Sequence, residues 1–290
     1  MQNNVLYGIS LMVITTFMFS SMDGFSRYLA ENNNVFTLVT MRYWFIAIIM
    51  IIACLFIKNP ISEILRTKQP YIQFSRGVIL SLNNCLVVYT FTLLGLVETH
   101  AIIACYPLIV AGLSVPILGE KFGWRRWLAI FTGFMGVIII LRPTTNVISE
   151  GSVFAIIGAI MFAVYLILTR YVSKSDTALT SFFWTGLGGT ITMSIISLFI
   201  WDNILKEDYL WLFIMCLLSA SSHFMMVKTL QIAEASVVQP FSYLQLVFGS
   251  IIGVTIFSEN IDLMIIIGSL IVIGSGLFTT WRAYKLKDNI

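Results

Sequence analysis

The sequence predicts an all-α membrane protein in which ten transmembrane helices form two inverted five-helix repeats. Hydrophobic residues make up 58% of its 290 positions and charged residues only 11%, with a mean hydropathy of +0.92. Soluble domains contain about a quarter charged residues, so this composition is typical of a chain that folds in lipid. Two further observations support the prediction: the apolar residues fall into ten runs, and the second half of the chain resembles the first.

Each of the ten apolar runs is long enough to cross a bilayer core of about 30 Å, which needs roughly 17 to 25 helical residues. We place the runs at 5–29, 35–57, 74–96, 99–118, 124–141, 153–171, 178–200, 209–230, 237–257 and 263–281. The connections are short, so the chain forms one integral membrane domain. The apolar part of the first run exceeds the core of a signal peptide, and we expect a retained first helix.

The internal repeat is visible at both ends of each half. Glu120 and Glu259 lie 139 residues apart, and each follows one apolar helix and precedes another. The segment that begins at Gly8 aligns with the one that begins at Gly151, at an offset of 143. We therefore expect a first repeat over 1–146 and a second over 147–290. Because each repeat has five helices, the second enters the membrane from the opposite side, a construction common in secondary transporters.

Basic residues predict the orientation, since cytoplasmic loops retain lysine and arginine. If the amino terminus is inside, the cytoplasmic side holds thirteen of the 17 basic residues, and the other side holds Arg27, Arg42, Arg142 and Lys206. Both termini are therefore expected in the cytoplasm of a bacterium, with the protein in its inner membrane. The net charge of +3 reflects this topology, and no patch for nucleic acid is seen.

The sequence lacks the motifs of membrane enzymes and metal sites. It contains no HExxH or GxSxG pattern, and its two histidines, His100 and His223, are far apart in the chain. Four cysteines lie within apolar runs without a CxxC pair, and we expect buried reduced thiols: Cys54, Cys85, Cys105 and Cys216. We expect no enzyme activity, no bound metal and no cofactor.

Two segments carry a resemblance to a known family. PLIVAGLSVPILGEKFGWRRWLAIFTGFMGVIIILRP starts at Pro107, and AEASVVQPFSYLQLVFGSIIGVTIFSENIDLMIIIGSLIVIGSGL starts at Ala233. With ten helices in two halves, the chain resembles the EamA branch of the drug/metabolite transporter (DMT) superfamily. The resemblance implies ten helices around a central cavity, alternating access, and a small organic cargo such as an amino acid, riboflavin or S-adenosylmethionine. It does not identify one cargo.

Polar residues near the middle of the apolar runs are the candidates for contact with that cargo. Asn83 and Asn84 lie near the centre of helix 3, with Tyr89 further along, and the repeat partners of the two asparagines in helix 8 are Ser222 and His223. A histidine can also titrate near neutral pH and move a proton. The alternative is that these groups form hydrogen bonds between helices, each worth about 0.6 to 2 kcal/mol.

Helix 9 offers a second wall of the site. Gln239, Ser242 and Tyr243 follow i, i+3, i+4 spacing on one helical face, and Gln245 is adjacent. Tyr106 in helix 4 and Tyr165 in helix 6 are aromatic candidates. Rings can stack on a planar cargo or attract a cation through their faces. Packing within the bundle is the alternative for each of them.

Charged residues give a further pair of interpretations. Asp23 and Arg27 stand one turn apart toward the outer end of helix 1, where an i, i+4 ion pair would be local. Alternatively, Asp23 titrates when released from Arg27 and provides a gate or a proton site. We assign Glu120 and Glu259 to the amino ends of the helices that follow them, where negative charge is favourable.

The expected function is that of a secondary transporter for a small organic metabolite, with a monomer or weak homodimer in the membrane. One alternative is an exporter of lipophilic or quaternary-ammonium cations coupled to protons. Another is a non-transporting membrane assembly or sensor protein, which would form a bundle without a cavity. Proton coupling, exchange and facilitated diffusion all remain open from the sequence.

Overall fold

All regular structure in the described part of the chain is helical. The computed structural model describes residues 2–56, 65–119, 123–141, 149–232, 238 and 241–287. Ten α-helices lie in these ranges: α1 Gln2–Ala30, α2 Val35–Phe56, α3 Pro70–Ile103, α4 Tyr106–Leu118, α5 Trp124–Leu141, α6 Glu150–Val172, α7 Ala178–Ser197, α8 Tyr209–Ile232, α9 Leu244–Phe257 and α10 Leu263–Lys287. Glu120, Arg142, Gln239, the 146/147 boundary and the side chain of Cys54 lie outside this description.

The helices have the length and composition of membrane spans. In the described residues, α1, α2, α3, α6, α7 and α8 are long and apolar enough to cross a membrane. The helices α4, α5, α9 and α10 contain shorter apolar stretches. The all-α membrane class and the count of ten helices are thereby confirmed, and the protein is a multi-pass membrane protein. Three cysteines, Cys85, Cys105 and Cys216, are buried free thiols.

The helix α3 is broken near its carboxyl end, at Gly95. This glycine has φ 81° and ψ 179°, a conformation that residues with a Cβ rarely adopt. Asn83 and His100 lie on either side of the break, and 17 residues of straight helix would separate them by about 25 Å. Both nevertheless line one cavity, so the chain turns back at Gly95.

This turn changes the predicted boundaries of the third and fourth spans. The third span ends at the Gly95 break, and the fourth begins at Leu96 rather than at residue 99. The fourth span is itself interrupted by a turn at Ala104 and Cys105 before α4 starts, with Pro107 in the first turn of α4. Proline is well tolerated there because the first N–H groups of a helix have no partner within the helix.

Packing places four helices at the centre of the bundle. The helix α1 packs against α8 and α9, and α3 packs against α6 and α7. The helices α1 and α3 also contact each other, as do α6 and α8. Further pairs are α2 with α7 and α5 with α10. The central cavity therefore lies among α1, α3, α6 and α8, with α4 and α9 completing its wall.

The crossing of α3 and α7 depends on glycines. A Cβ added at Gly77 would lie 2.6 Å from the carbonyl oxygen of Thr185 and 2.9 Å from the Cα of Gly188. Both atoms belong to the backbone, so they cannot move aside as a flexible side chain would. Small residues let helix backbones approach closely in membranes, and this contact uses that freedom.

We expect Gly77→Ala to lower the free energy of unfolding by about 1 to 3 kcal/mol, the usual cost of overpacking a tight contact. Gly112→Ala is the matched control, because a Cβ at Gly112 would meet nothing within 4 Å. Thermal unfolding of the two purified variants and the parent checks this. A Gly77→Ala variant as stable as the Gly112→Ala variant would contradict the close crossing.

Candidate functional site

A cavity lies at the centre of the bundle. It is lined from six helices, and its wall combines apolar and polar side chains. The aromatic part of the wall is formed by Phe19, Tyr106 and Phe162. The polar side chains on the wall are Asp23, Asn83, Asn84, His100, His223 and Gln245. A concave, mainly apolar site with a few polar groups is typical of small-molecule binding.

Four side chains on this wall have a buried atom without a hydrogen-bond partner in the described part of the chain: Asn83, His100, Tyr106 and His223. Neither ring nitrogen of His223 is bonded, and the Oδ1 atom of Asn83 is also unpaired. Both residues are more than nine-tenths buried. An unpaired buried polar atom costs about 1 to 3 kcal/mol, and such atoms are rare in native structures. These atoms therefore have unused hydrogen-bonding capacity at the cavity wall.

The surroundings hold the unpaired groups of Asn83 and His223 toward the cavity. The His223 ring meets the Phe19 ring edge to face, with 4.9 Å between centroids. A Cβ at Gly158 would lie 3.5 Å from the Oδ1 atom of Asn83, so the glycine leaves the space beside this oxygen clear. Asn84 differs from Asn83, because its side-chain amide donates to the hydroxyl of Tyr43 at 3.1 Å.

Tyr165 lines a smaller cavity that shares one wall residue, His223, with the central cavity. It lines this second space with Tyr43 and His223, so His223 faces both cavities. The Tyr165 ring stacks on Phe162 at 6.0 Å between centroids, and the guanidinium of Arg76 lies 5.3 Å from the centre of the Tyr165 ring. Tyr165 thus packs against Phe162, which is part of the aromatic wall.

Asp23 lies on the wall of the central cavity, although the sequence suggested an off-centre position. The Nε2 atom of Gln245 donates to its carboxylate at 3.2 Å, and the Nε2 atom of His100 lies 3.5 Å away. The predicted ion pair with Arg27 is wrong, since Arg27 pairs with Glu259 instead. The break at Gly95 brings His100 to its position beside Asp23.

Glu259 caps the helical segment that starts after Gly95. Its two carboxylate oxygens accept hydrogen bonds from the backbone N–H groups of Leu96 and Val97, both at 2.8 Å. Arg27 pairs with the same carboxylate. Negative charge at the amino end of a helix is favourable, but this helix is not the one that the sequence indicated. At the start of α10 the Oδ1 atom of Asp262 accepts from the N–H of Met264 at 2.9 Å.

We call Arg27, Glu259, Leu96 and Val97 the latch. Arg27 is one helical turn beyond Asp23 toward the carboxyl end of α1, so the latch lies next to one end of the cavity. The guanidinium of Arg27 also lies 4.2 Å from the centre of the Phe257 ring at the end of α9. The latch therefore joins α1, the broken end of α3 and the connection between α9 and α10.

Other predicted site residues lie away from the cavity. Tyr89 is exposed and contacts Phe154 at 5.8 Å between ring centroids. The Ser222 hydroxyl donates to the carbonyl of Ser219 at 3.1 Å. Tyr243 packs against Gly276 in α10. Ser242 is buried without lining the cavity, and Gln239 lies outside the described residues.

Several wall residues were missed by the sequence analysis: Phe19, Met22, Val87, His100, Ile103, Gly158 and Phe162. His100 carried the only usable signal, as a histidine within an apolar run.

The prediction also counted Arg42 among residues near the outer loops, whereas its side chain is 1% exposed. Its Nε and Nη2 atoms donate to the hydroxyl of Ser219 at 3.2 and 3.1 Å, and Nη2 contacts the sulfur of Met22 at 3.3 Å.

The chain matches the model of the EamA-like transporter family twice, over residues 6–142 and 149–281. An S-adenosylmethionine uptake transporter of Rickettsia prowazekii (strain Madrid E) is 25% identical over 280 residues, 97% of this chain and 94% of that protein. A riboflavin transporter of Vibrio cholerae serotype O1 is 27% identical over 173 residues, 59% of this chain and 58% of that protein.

The fold is also found in a solved structure. One protein of known crystal structure superposes with a TM-score of 0.68, over 98% of this chain and 99% of that one. The two sequences are 13% identical, so the likeness concerns the fold alone.

A double-mutant cycle distinguishes the latch from the local pair that the sequence suggested. We expect Arg27→Ala and Glu259→Gln to show a coupling energy of about 0.5 to 3 kcal/mol in unfolding, as contacting charged groups do. Asp23→Asn with Arg27→Ala should be nearly additive. Chemical unfolding of the three single and two double variants measures both cycles, and coupling confined to the Asp23–Arg27 pair would refute the assignment.

Proposed function

Because the chain belongs to the EamA-like transporter family, we propose that it is a secondary transporter that moves a small organic metabolite across the bacterial cytoplasmic membrane by alternating access. The family and the names of the relatives identify a transporter and not an enzyme. The observation that carries the proposal is the central cavity with the unpaired polar atoms of Asn83 and His223 on its wall.

The proposed cargo is a metabolite with a planar heteroaromatic ring, such as S-adenosylmethionine. The rings of Phe19, Tyr106 and Phe162 offer apolar faces and edges for such a ring. The unpaired imidazole and amide of His223 and Asn83 offer hydrogen bonds to its heteroatoms. Relatives that are named transporters of S-adenosylmethionine and of riboflavin support this class, since both compounds contain fused heteroaromatic rings.

Alternating access follows from two inverted repeats, which we propose over 1–146 and 147–290. The double match of the family model supports this division. The packing supports it as well: α2 with α7 and α5 with α10 are pairs of equivalent helices, and α3 with α6 corresponds to α8 with α1. In such a fold the halves rock around a site near the midplane and expose it to each side in turn. Both termini would lie in the cytoplasm.

Each end of the cavity has a group of polar contacts that rocking would break and re-form. The latch lies at the end where α1 stops and α3 is broken. Toward the amino end of α3, the Nε2 atom of Gln73 donates to Asp176 at 2.7 Å, and the Nε atom of Arg76 donates to the hydroxyl of Thr169 at 3.1 Å. Opening of one end while the other stays closed would give alternating access.

The second candidate is the proton-coupled export of a lipophilic or quaternary-ammonium cation, and the position of Asp23 on the cavity wall favours it. Intramembrane carboxylates are expensive and commonly mark ion or substrate pathways. The two candidates differ in whether the cargo needs a heteroaromatic ring, which a panel of ligands can decide.

We expect His223→Ala and Asn83→Ala to lose the ligand-induced rise in melting temperature that the parent protein shows with its cargo. A ligand stabilises the folded state by RT ln(1 + [L]/Kd), so a weakened site gives a smaller shift. The panel contains S-adenosylmethionine, riboflavin, amino acids and quaternary amines. A shift with quaternary amines alone would favour the second candidate.

Tyr89→Ala is the matched control, because Tyr89 is in the same helix as Asn83 but outside the cavity. It should respond to the ligand like the parent protein. If His223→Ala and Asn83→Ala also respond like the parent, the cavity is not the binding site.

A further inference from the structure

Asp23 is the only carboxylate on the wall of the central cavity in the part of the chain that the structure describes. Its side chain is 9% exposed, and the helix that carries it, α1, packs against α3 and α9. A carboxylate removed from water must be compensated by hydrogen bonds or by a positive charge. The groups that surround Asp23 therefore decide what it can bind.

Two uncharged or neutralisable groups touch this carboxylate. Gln245 in α9 donates one hydrogen bond at 3.2 Å, and the His100 imidazole beyond the α3 break lies 3.5 Å away. Arg27, one turn along α1, is engaged with Glu259 in the latch. No lysine or arginine of the described residues lies within ion-pair distance of Asp23. Direct compensation by a fixed cation is thus missing.

Arg42 in α2 supplies positive charge from behind the wall. Its guanidinium contacts the sulfur of Met22, next to Asp23 in the chain, and the hydroxyl of Ser219. This arrangement leaves the cavity side of the Asp23 carboxylate free of a cationic partner among the described residues. The Phe19 ring, one turn before Asp23, adds a surface that attracts cations.

We infer that Asp23, His100 and Gln245 form a subsite for a permanently charged centre of the cargo, such as a sulfonium. The inference rests on the proposed function and deepens it, because it assigns the charged centre of the cargo to one end of the cavity. The unpaired His223 and Asn83, which line the same cavity, are then left for the uncharged part of the cargo.

The physical basis of selectivity is the difference between a charged ligand and its neutral isostere. A cation that reaches Asp23 replaces the weak compensation by Gln245 and His100 with a direct ion pair. A neutral isostere of the same shape leaves the carboxylate as it was. Hydrogen bonds and contacts that involve a charged group in a dry site are the strong ones, so discrimination should be large.

S-adenosylmethionine and S-adenosylhomocysteine are a matched pair of probes. They differ by one methyl group and by the positive charge on sulfur, and they share the adenosine and amino acid parts. We expect the purified parent protein to bind the sulfonium compound at least tenfold more tightly, as measured by dose-dependent thermal stabilisation. Riboflavin, which has no positive charge, and tetraphenylphosphonium, which has no adenosine, complete the panel.

Three variants test the assignment. Asp23→Asn keeps the size of the side chain and should reduce the preference for the sulfonium compound to less than threefold. Asp23→Glu keeps the charge and should retain most of the preference. Asn83→Ala should weaken both adenosine compounds by similar factors, because it acts on their uncharged part. The ratio in the parent protein remains informative even if a variant does not fold.

The outcomes separate this subsite from the proposed cargo. Equal binding of the two adenosine compounds by the parent, or binding of riboflavin alone, overturns the subsite while a metabolite transporter remains. A preference that survives in Asp23→Asn overturns it as well. Binding of tetraphenylphosphonium alone, lost in Asp23→Asn, supports the subsite and contradicts the heteroaromatic cargo. Failure of all four probes to bind contradicts both.

Discussion

The central part of this structure depends on the contacts that the Glu259 carboxylate makes. It accepts two backbone hydrogen bonds from the segment that follows Gly95 and pairs with Arg27 at the end of α1. A helix that is broken inside a membrane leaves N–H groups without partners, and lipid provides none. Glu259 satisfies two of these groups, which allows the chain to reverse at Gly95 and to bring His100 to the cavity.

That reversal of the chain places His100 among the polar groups of the cavity. His100 reaches Asp23 only because the segment after Gly95 runs back along α1 and α9, close to Gly249 and Gly253. Asp23, which lines the wall, is one turn of α1 away from Arg27 in the latch. The ion pair at the end of the cavity and the carboxylate that faces its interior are thus one helical turn apart in α1.

Much of the fold was predictable because ten apolar runs and short connections leave few alternatives. Asn83, Asn84 and His223 were also found from sequence, since an amide or imidazole at mid-depth needs a polar surrounding. The partners of Asp23 and Glu259 were not, because both are set by residues more than 70 positions away. Tyr89 illustrates the same limit: depth in the membrane can be read from sequence, whereas the side of the helix that faces the cavity depends on tertiary packing.

The accessibility of the cavity with the latch intact and broken tests the account most directly. Asn84→Cys would be introduced after replacement of the native cysteines, and a membrane-impermeant thiol reagent would be added from the side where α1 ends. We expect Glu259→Gln to raise the labelling rate at least severalfold, because the broken helix loses its cap and its ion pair. Equal labelling rates with and without Glu259→Gln would contradict a latch that closes this end of the cavity.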